Sequence, residues 1–340
     1  MESLNNIGNS FQELGKLEEA RKTYVKVLSI KPDYIDAYNN LGVTLKDQGK
    51  ISQAIEAYNK AILLNPKSED VYYNLGNLFL EKGDYNKSVD SYNNAINNSI
   101  GNPKILDSSQ NMLLKALYHL DDKEKFYSHL QKLVGLGKSN AIIGSLACRA
   151  NNKYYTEIEN LFCNKPMNYV IKKSLLGECD FEKDFIKETN NILQSKNMSK
   201  KNQTLLTNGY QTAGNIFADN QHFKSIIKNI IDKEITNYRN KFCDSSEGFI
   251  KKWPEQYQIK GWIISMNNGG SLKPHMHDNG WLSGSIYINV PKIKKNNGGN
   301  LVVGIEEENN EEGNNKSKNK IIDVETGSLC LFPSSLNHYT

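Results

Sequence analysis

Along the first hundred residues apolar side chains recur at helical spacing, and the whole arrangement of apolar, small and polar positions returns every 34 residues. Gly8, Gly42 and Gly76 form one column, Gly15, Gly49 and Gly83 a second, and Tyr24, Tyr58 and Tyr92 a third. Ala20 and Ala54 continue into Ser88, and Pro32 and Pro66 into Ile100. The pattern predicts two helices per repeat. Small residues in the first Gly column and the Ala column let the two helices approach closely. The second Gly ends the first helix, and Pro stops the second because it cannot continue the hydrogen-bond ladder. Ile7, Leu41 and Leu75, with the three tyrosines, are expected to fill the seam between them. After Pro103 helical spacing persists through 104–170, as in Met112–Leu114 with Ala116 and Leu117, but the columns are gone. Those helices are expected to be degenerate hairpins that cap the last repeat.

Beyond residue 250 the apolar period shortens from 3.6 to 2, and all three tryptophans lie there. Segments 258–266, 282–290, 300–305 and 321–332 read as strands, separated by turns such as Asn267–Gly270 and Asn296–Asn300. The Asn/Glu/Lys run over 305–320 reads as a solvated hairpin loop. Before the strands, 219–240 reads as a helix whose apolar face (Phe223, Ile226, Ile227, Ile230, Ile231) would pack on the sheet. Many short strands behind one helix suggest a double-stranded β-helix, the jelly-roll arrangement. The predicted fold class is an all-α solenoid followed by an α+β domain with that core. The division is 1–102 for the repeats, 103–170 for the capping hairpins and 171–340 for the strand-rich domain, with boundary signals at Lys165-Pro166 and Ser195–Gln203.

Composition narrows the function. The chain has 340 residues, 42 basic against 38 acidic, and a net charge of +4 spread along its length. That is not the clustered excess of a nucleic-acid-binding protein. No apolar run reaches the ~18 residues of a membrane span and no signal-peptide core opens the chain, so a cytoplasmic protein is expected. Five scattered cysteines without a C-x-x-C pair read as small buried apolar residues in a reducing compartment.

The chemistry concentrates in histidine. His275 and His277 form an H-x-H within Lys273–Asp278, and His338 follows in Phe332–Tyr339. Residues at i and i+2 of a strand face the same way, so two imidazoles can reach one metal and a distant strand can add the third. Such a set of three leaves positions open for other ligands, and suits zinc as well as iron. His119, His129 and His222 carry no such context and read as structural or solvated. In the repeats, Asn6, Asn40 and Asn74 also recur, and a row of amides could hold an extended peptide backbone. A solvated helix face is the other reading of that row.

On the columns above, residues 1–102 resemble tetratricopeptide (TPR) repeats, and Asn39-Asn-Leu-Gly42 resembles those of the protein O-GlcNAc transferase type, where an asparagine ladder binds peptide. The run His275-Met-His-Asp-Asn-Gly-Trp-Leu-Ser-Gly-Ser-Ile-Tyr-Ile-Asn-Val-Pro291 resembles the putative 2-oxoglutarate–Fe(II) oxygenases with the pattern H-x-H-x-x-G-W-L-S-G-x-Y-Y, a family often carrying TPR arrays in front. Leu206–Phe217, Gly261–Gly270 and Gly327–His338 resemble its flanking elements. This resemblance makes His275, His277 and His338 iron ligands, with Asp278 an alternative to His277. It implies oxidative decarboxylation of 2-oxoglutarate, with O2, to succinate and CO2, coupled to hydroxylation of a C–H bond. Ser283 and Tyr287, on the next strand, are candidates to reach 2-oxoglutarate, although packing is the simpler role for both. Trp281, Gly284 and Gly298-Gly299 read as framework.

In this family an arginine several residues past the distal histidine pairs with the far carboxylate of 2-oxoglutarate; the sequence ends at Thr340, and the domain is expected to be truncated there. The leading expectation is an oxygenase whose repeats present a protein or peptide, with neither nucleic acid nor membrane as partner. The alternatives are a TPR interaction module with a non-catalytic jelly roll, and a zinc enzyme using the same histidines.

Overall fold

A computed structural model describes residues 1–195, 200–201, 204–219, 221–291, 298–306 and 319–340. Most of the Ser195–Gln203 boundary, Asn296 and Asn297, most of the 305–320 run, and the side chains of His222 and Phe223 lie outside the described residues. The chain divides into two compact units, Met1–Lys132 and Leu133–Thr340. Among the described residues no helix is long and apolar enough to cross a membrane.

In the first unit, α1 (Glu2–Glu13) and α2 (Leu17–Ile30), α3 (Ile35–Asp47) and α4 (Ile51–Leu64), and α5 (Glu69–Glu81) and α6 (Tyr85–Asn98) form three hairpins, followed by α7 (Pro103–Leu120) and most of α8 (Lys123–Gly135). Each first helix ends alike. Gly15, Gly49 and Gly83 take φ of 72°, 75° and 78°, a left-handed conformation that strains any residue with a Cβ. The next amide then bonds back to the helix: Lys16 to Phe11, Lys50 to Leu45 and Asp84 to Phe79, at 2.8–2.9 Å. The second helices α2 and α4 end two residues short of Pro32 and Pro66.

The first Gly column sets how closely the helices pack. A Cβ on Gly8, Gly42 or Gly76 would sit 2.5, 2.5 or 2.6 Å from Cε1 of Tyr24, Tyr58 or Tyr92. The three rings are fully buried, as are Ala20, Ala54 and Ser88. One seam residue departs from expectation: Ile7 is 47% exposed, whereas Leu75 is buried. Leu75 shares a buried cluster with Val71, Leu78 and Phe79 of its own helix and with Ala57, Tyr58 and Ala61 of the preceding hairpin.

The tyrosine hydroxyls are treated unequally. Tyr24 donates to Asn9 Oδ1 at 2.7 Å and Tyr92 to Asn77 Oδ1 at 2.8 Å. The middle repeat carries Val43 at the matching position, and the buried Tyr58 hydroxyl has no partner.

The second unit contains α9 (Ala141–Tyr154), β1 (Ile171–Ser174), α10 (Glu188–Gln194), β2 (Lys200–Lys201), β3 (Leu206–Thr212), α11 (Ile216–Asp219), α12 (Gln221–Lys241), α13 (Gly248–Lys251), β4 (Ile264–Leu272), β5 (Leu282–Ile286), β6 (Leu301–Gly304), β7 (Asn319–Ile322), β8 (Ser328–Pro333) and β9 (Asn337–Tyr339). Its strands pair antiparallel in the orders β1-β8-β5, β2-β3-β4 and β7-β6-β9. All six residues of β8 are buried, as befits a central strand covered on both faces. Phe162, Tyr169, Tyr238 and Phe249 are buried in the core beside Trp253 and Trp281, and Ile230 and Ile231 of α12 pack against it.

Four sequence expectations need correction. Residues 258–263 are not strand, and β4 begins at Ile264. Asn267–Gly270 is no turn between strands but a loop-out within β4. Thr207 pairs with Ser271 while Gly209 pairs with Met266, so four residues oppose Asn208 alone. Segment 321–332 is two strands, broken before Gly327 at φ 89°. The cysteines are all free, but only Cys148, Cys163 and Cys330 are buried, while Cys243 is exposed.

Restoring the missing partner should stabilise the repeats: Val43→Asn is expected to add about 1 kcal/mol. Gly42→Ala, driving a Cβ into the Tyr58 ring, should cost about 1–3 kcal/mol. Urea denaturation of the two variants checks both signs.

Candidate metal centre

β8 and β9 are consecutive strands on different sheets, joined by a tight turn in which the Leu336 amide bonds Pro333 O at 3.0 Å. The turn brings His338 into the middle of a ladder. On one side His338 pairs with Val303 of β6. On the other, its amide donates to His275 O at 2.8 Å and the His275 amide to His338 O at 3.2 Å. Three residues before His275 and two after His338, the Leu272 and Thr340 backbones exchange the same two bonds at 3.1 and 3.2 Å. Lys273 and Pro274 thus oppose Tyr339 alone. This bulge suits proline, which has no amide to give, and it sets His275 directly across from His338. Directly opposed residues of an antiparallel pair project from the same face.

His277, two residues past His275, completes the group. Ring centroids lie 4.2 Å apart for His275 and His338, 4.8 Å for His277 and His338, and 5.5 Å for His275 and His277. One ring nitrogen from each lies within 4.8 Å of the other two. Among the described residues this is the one converging group of three or more His, Cys, Asp or Glu side chains, and Asp278 is not in it.

The nitrogens themselves point to a metal. His275 Nδ1 lies 2.9 Å from Lys273 O, and His277 Nδ1 lies 2.9 Å from Ser283 Oγ. His277 Nε2 and His338 Nδ1 are buried with no hydrogen-bond partner. Leaving such an atom unpaired costs about 1–3 kcal/mol, so two in one cluster call for a shared ligand. Burial lowers all three imidazoles below their usual pKa: it lowers His275, takes His277 to about 4 with His275 adding repulsion, and takes His338 well below normal, with His275 and His277 adding theirs. All three are therefore neutral at pH 7, the form that ligates. The donor set fits a divalent ion whose bonds to nitrogen are about 2 Å, after a small side-chain adjustment.

Around the group, Trp262, 36% exposed, stands edge-on to His277 at 5.3 Å, and Phe332 lies 5.0 Å from His338. Trp281 is stacked on Phe249 and donates from Nε1 to Phe249 O, fixing the start of β5. Ser283 is 4% exposed, and its hydroxyl meets His277 and, at 2.8 Å, Ser334. Tyr287 packs against Leu301, Val303 and Phe332, and burial raises its pKa. Ser334 and Trp262 were not singled out in the sequence. A serine in a turn carries no periodic signal, and Trp262 reaches His277 through the fold rather than through spacing.

Among the other histidines, His119 stacks on Tyr85, and His129 Nε2 lies 2.9 Å from Gln110 O. The asparagine row is laced across repeats. Asn40 Nδ2 donates to Asn5 and Asn9, Asn74 Nδ2 donates to Asn39, and Asn6 is exposed.

Residues 260–340 match the family model described as Putative 2OG-Fe(II) oxygenase. Residues 8–49 and 44–83 match the TPR repeat, and 69–99 the tetratricopeptide repeat. The N-terminal region thus carries TPR repeats, and 260–340 a domain of that oxygenase family. No curated protein matches the chain. Solved structures similar to it include the TPR2B domain of yeast Sti1 in its pHsp70 complex (19% identity, 34% of this chain and 94% of that one, TM-score 0.33). MamA is similar at 19% identity over 46% and 78% (TM-score 0.35), and the Sgt2 TPR domain from Aspergillus fumigatus at 21% over 36% and 81% (TM-score 0.34). None of these likenesses carries a ligand or partner over to this chain.

A ligand that binds only the folded state stabilises it by about 2.7 kcal/mol at one hundred times its dissociation constant. For a unit of this size that corresponds to roughly 5–11 °C in Tm. Adding Co(II) or Zn(II) to metal-free protein should raise the melting transition of the second unit by this amount, and His275→Ala, His277→Ala and His338→Ala should each abolish the rise. Calorimetry makes the comparison.

Proposed function

We propose that the chain is a 2-oxoglutarate- and Fe(II)-dependent dioxygenase, built on a jelly-roll core, whose TPR repeats present a protein or peptide substrate. One observation carries the reading: three neutral imidazoles converge within the segment that matches the oxygenase family, and ring nitrogens of two of them are buried without partners.

His275, His277 and His338 hold the iron. When bound, Fe(II) supplies the centre at which 2-oxoglutarate and O2 meet, so that a C–H bond is hydroxylated and succinate and CO2 are released. The chain's share is ligation by neutral nitrogens that leave other positions of the ion open, and exclusion of water by the Phe332 side of the cluster. Trp262, half-exposed beside His277, is placed to touch a substrate entering the site. In the repeats, the Asn40 and Asn74 amide nitrogens are engaged between helices, which leaves their carbonyl oxygens and the Asn6 amide to accept or donate to a peptide backbone. This row is the proposed peptide-binding feature.

An all-nitrogen set suits zinc too, so the test must discriminate. Protein purified anaerobically and given one equivalent of Fe(II) should bind it. With 2-oxoglutarate it should develop the visible charge-transfer band of a chelated 2-oxo acid, and in air it should form succinate. His338→Ala should lose all three. Tight zinc retention, with neither band nor succinate, would overturn the iron reading in favour of a zinc site.

A further inference from the structure

Two of the three histidines meet their neighbours through Nδ1, but the neighbours differ in kind. His275 Nδ1 faces the carbonyl of Lys273 at 2.9 Å, and a carbonyl only accepts, so that contact places the proton on Nδ1. His277 Nδ1 faces the hydroxyl of Ser283, which can donate or accept and so does not by itself choose a tautomer. Ser283 Oγ has one further partner, Ser334 Oγ at 2.8 Å, and Ser334 is fully buried.

We propose that Ser283 and Ser334 are positioning residues that hold His277 as its Nδ1–H tautomer and aim the Nε2 lone pair at the metal. The inference rests on the three-histidine metal site proposed above. With the proton on Nδ1 the groups chain in one direction: Nδ1–H donates to Ser283 Oγ, and the Ser283 hydroxyl donates to Ser334 Oγ. The opposite tautomer places an N–H at Nε2, which is buried and has no acceptor. Ser334 gives the Ser283 hydroxyl somewhere to point other than at the imidazole. Partners of this kind fix ring orientation and raise ligand basicity in metal sites.

The surrounding chain accommodates the relay. A Cβ on Gly280 would lie 2.5 Å from Ser334 Oγ, so glycine leaves the space the hydroxyl occupies. The Gly280 amide bonds His277 O at 2.8 Å, and the Ser334 amide bonds Trp281 O at 3.2 Å, tying the His277–Trp281 loop to the β8–β9 turn. The serine hydroxyls therefore face each other across two segments far apart in sequence, at the end of the β5–β8 ladder where Leu282 pairs with Pro333.

The test uses the full chain and Co(II), whose visible spectrum reports the ligand set. Ser283→Ala should weaken Co(II) binding about 10–100-fold, and Ser334→Ala should weaken it at least threefold. Both should keep the wild-type band shape because the three ligands remain, and Ser283→Thr, which retains the hydroxyl, should recover the affinity. In the metal-free chain, long-range 15N–1H correlation of the His277 ring should show the proton on Nδ1 in wild type and redistribution toward Nε2 in Ser283→Ala. Dissociation constants of both alanine variants within threefold of wild type, or an Nε2–H ring in the wild-type apo chain, would overturn the relay. The metal site fails separately: Co(II) binding by His277→Ala equal to wild type would reject that site and not the serines.

Discussion

His275 and His338 exchange two backbone hydrogen bonds, and the second unit is arranged around that exchange. It stitches the end of the β4 strand onto β9, which itself lies against β6, so His338 sits on a central strand with no freedom to slide. A slip of one residue would turn every side chain to the other face and separate the imidazoles. The bulge at Lys273-Pro274 lets Leu272 pair with Thr340 and His275 with His338 on the same two strands, although the residue counts between them differ. Register, bulge and the turn through Ser334 therefore act on one quantity: which way three rings point.

How much of this is legible in sequence depends on whether the determinant is local. The Gly and Tyr columns are legible because each repeat states the same steric fact again, a ring packed where a Cβ would be. The H-x-H is legible because a period of two is a property of any strand. The loop-out of Asn267–Gly270 is not. Its glycines signal a turn, and only pairing with β3 decides that the strand continues past it. The exposure of Ile7 is not legible either, since a column repeats a residue type and not the neighbours that bury Leu75. The asparagine row shows the same limit. Its spacing was visible, whereas the lateral bonds from Asn40 to Asn5 and Asn9 depend on how adjacent hairpins stack.

The two units also use buried polarity differently. In the repeats the polar side chains bond within a hairpin or to the adjacent one, so a defect stays local, as repeat arrays allow. Around the histidines the polar atoms share neighbours: Ser283 serves His277 and Ser334 together, and each imidazole lowers the proton affinity of the next. Substitutions there should be non-additive, because removing one group alters the surroundings of the others.

That difference separates two kinds of unsatisfied buried group. The orphaned Tyr58 hydroxyl is accounted for within the chain: its sister tyrosines bond Asn9 and Asn77, and Val43 stands where the third asparagine would be. His277 Nε2 and His338 Nδ1 have no such vacant column. They belong to a cluster in which a third imidazole adds another nitrogen, and burial keeps all three unprotonated at neutral pH. A hydroxyl or amide could satisfy one of these lone pairs but not three that converge. An electron-pair acceptor of about 2 Å bond length, shared among them, satisfies all three at once and offsets the cost of burying them.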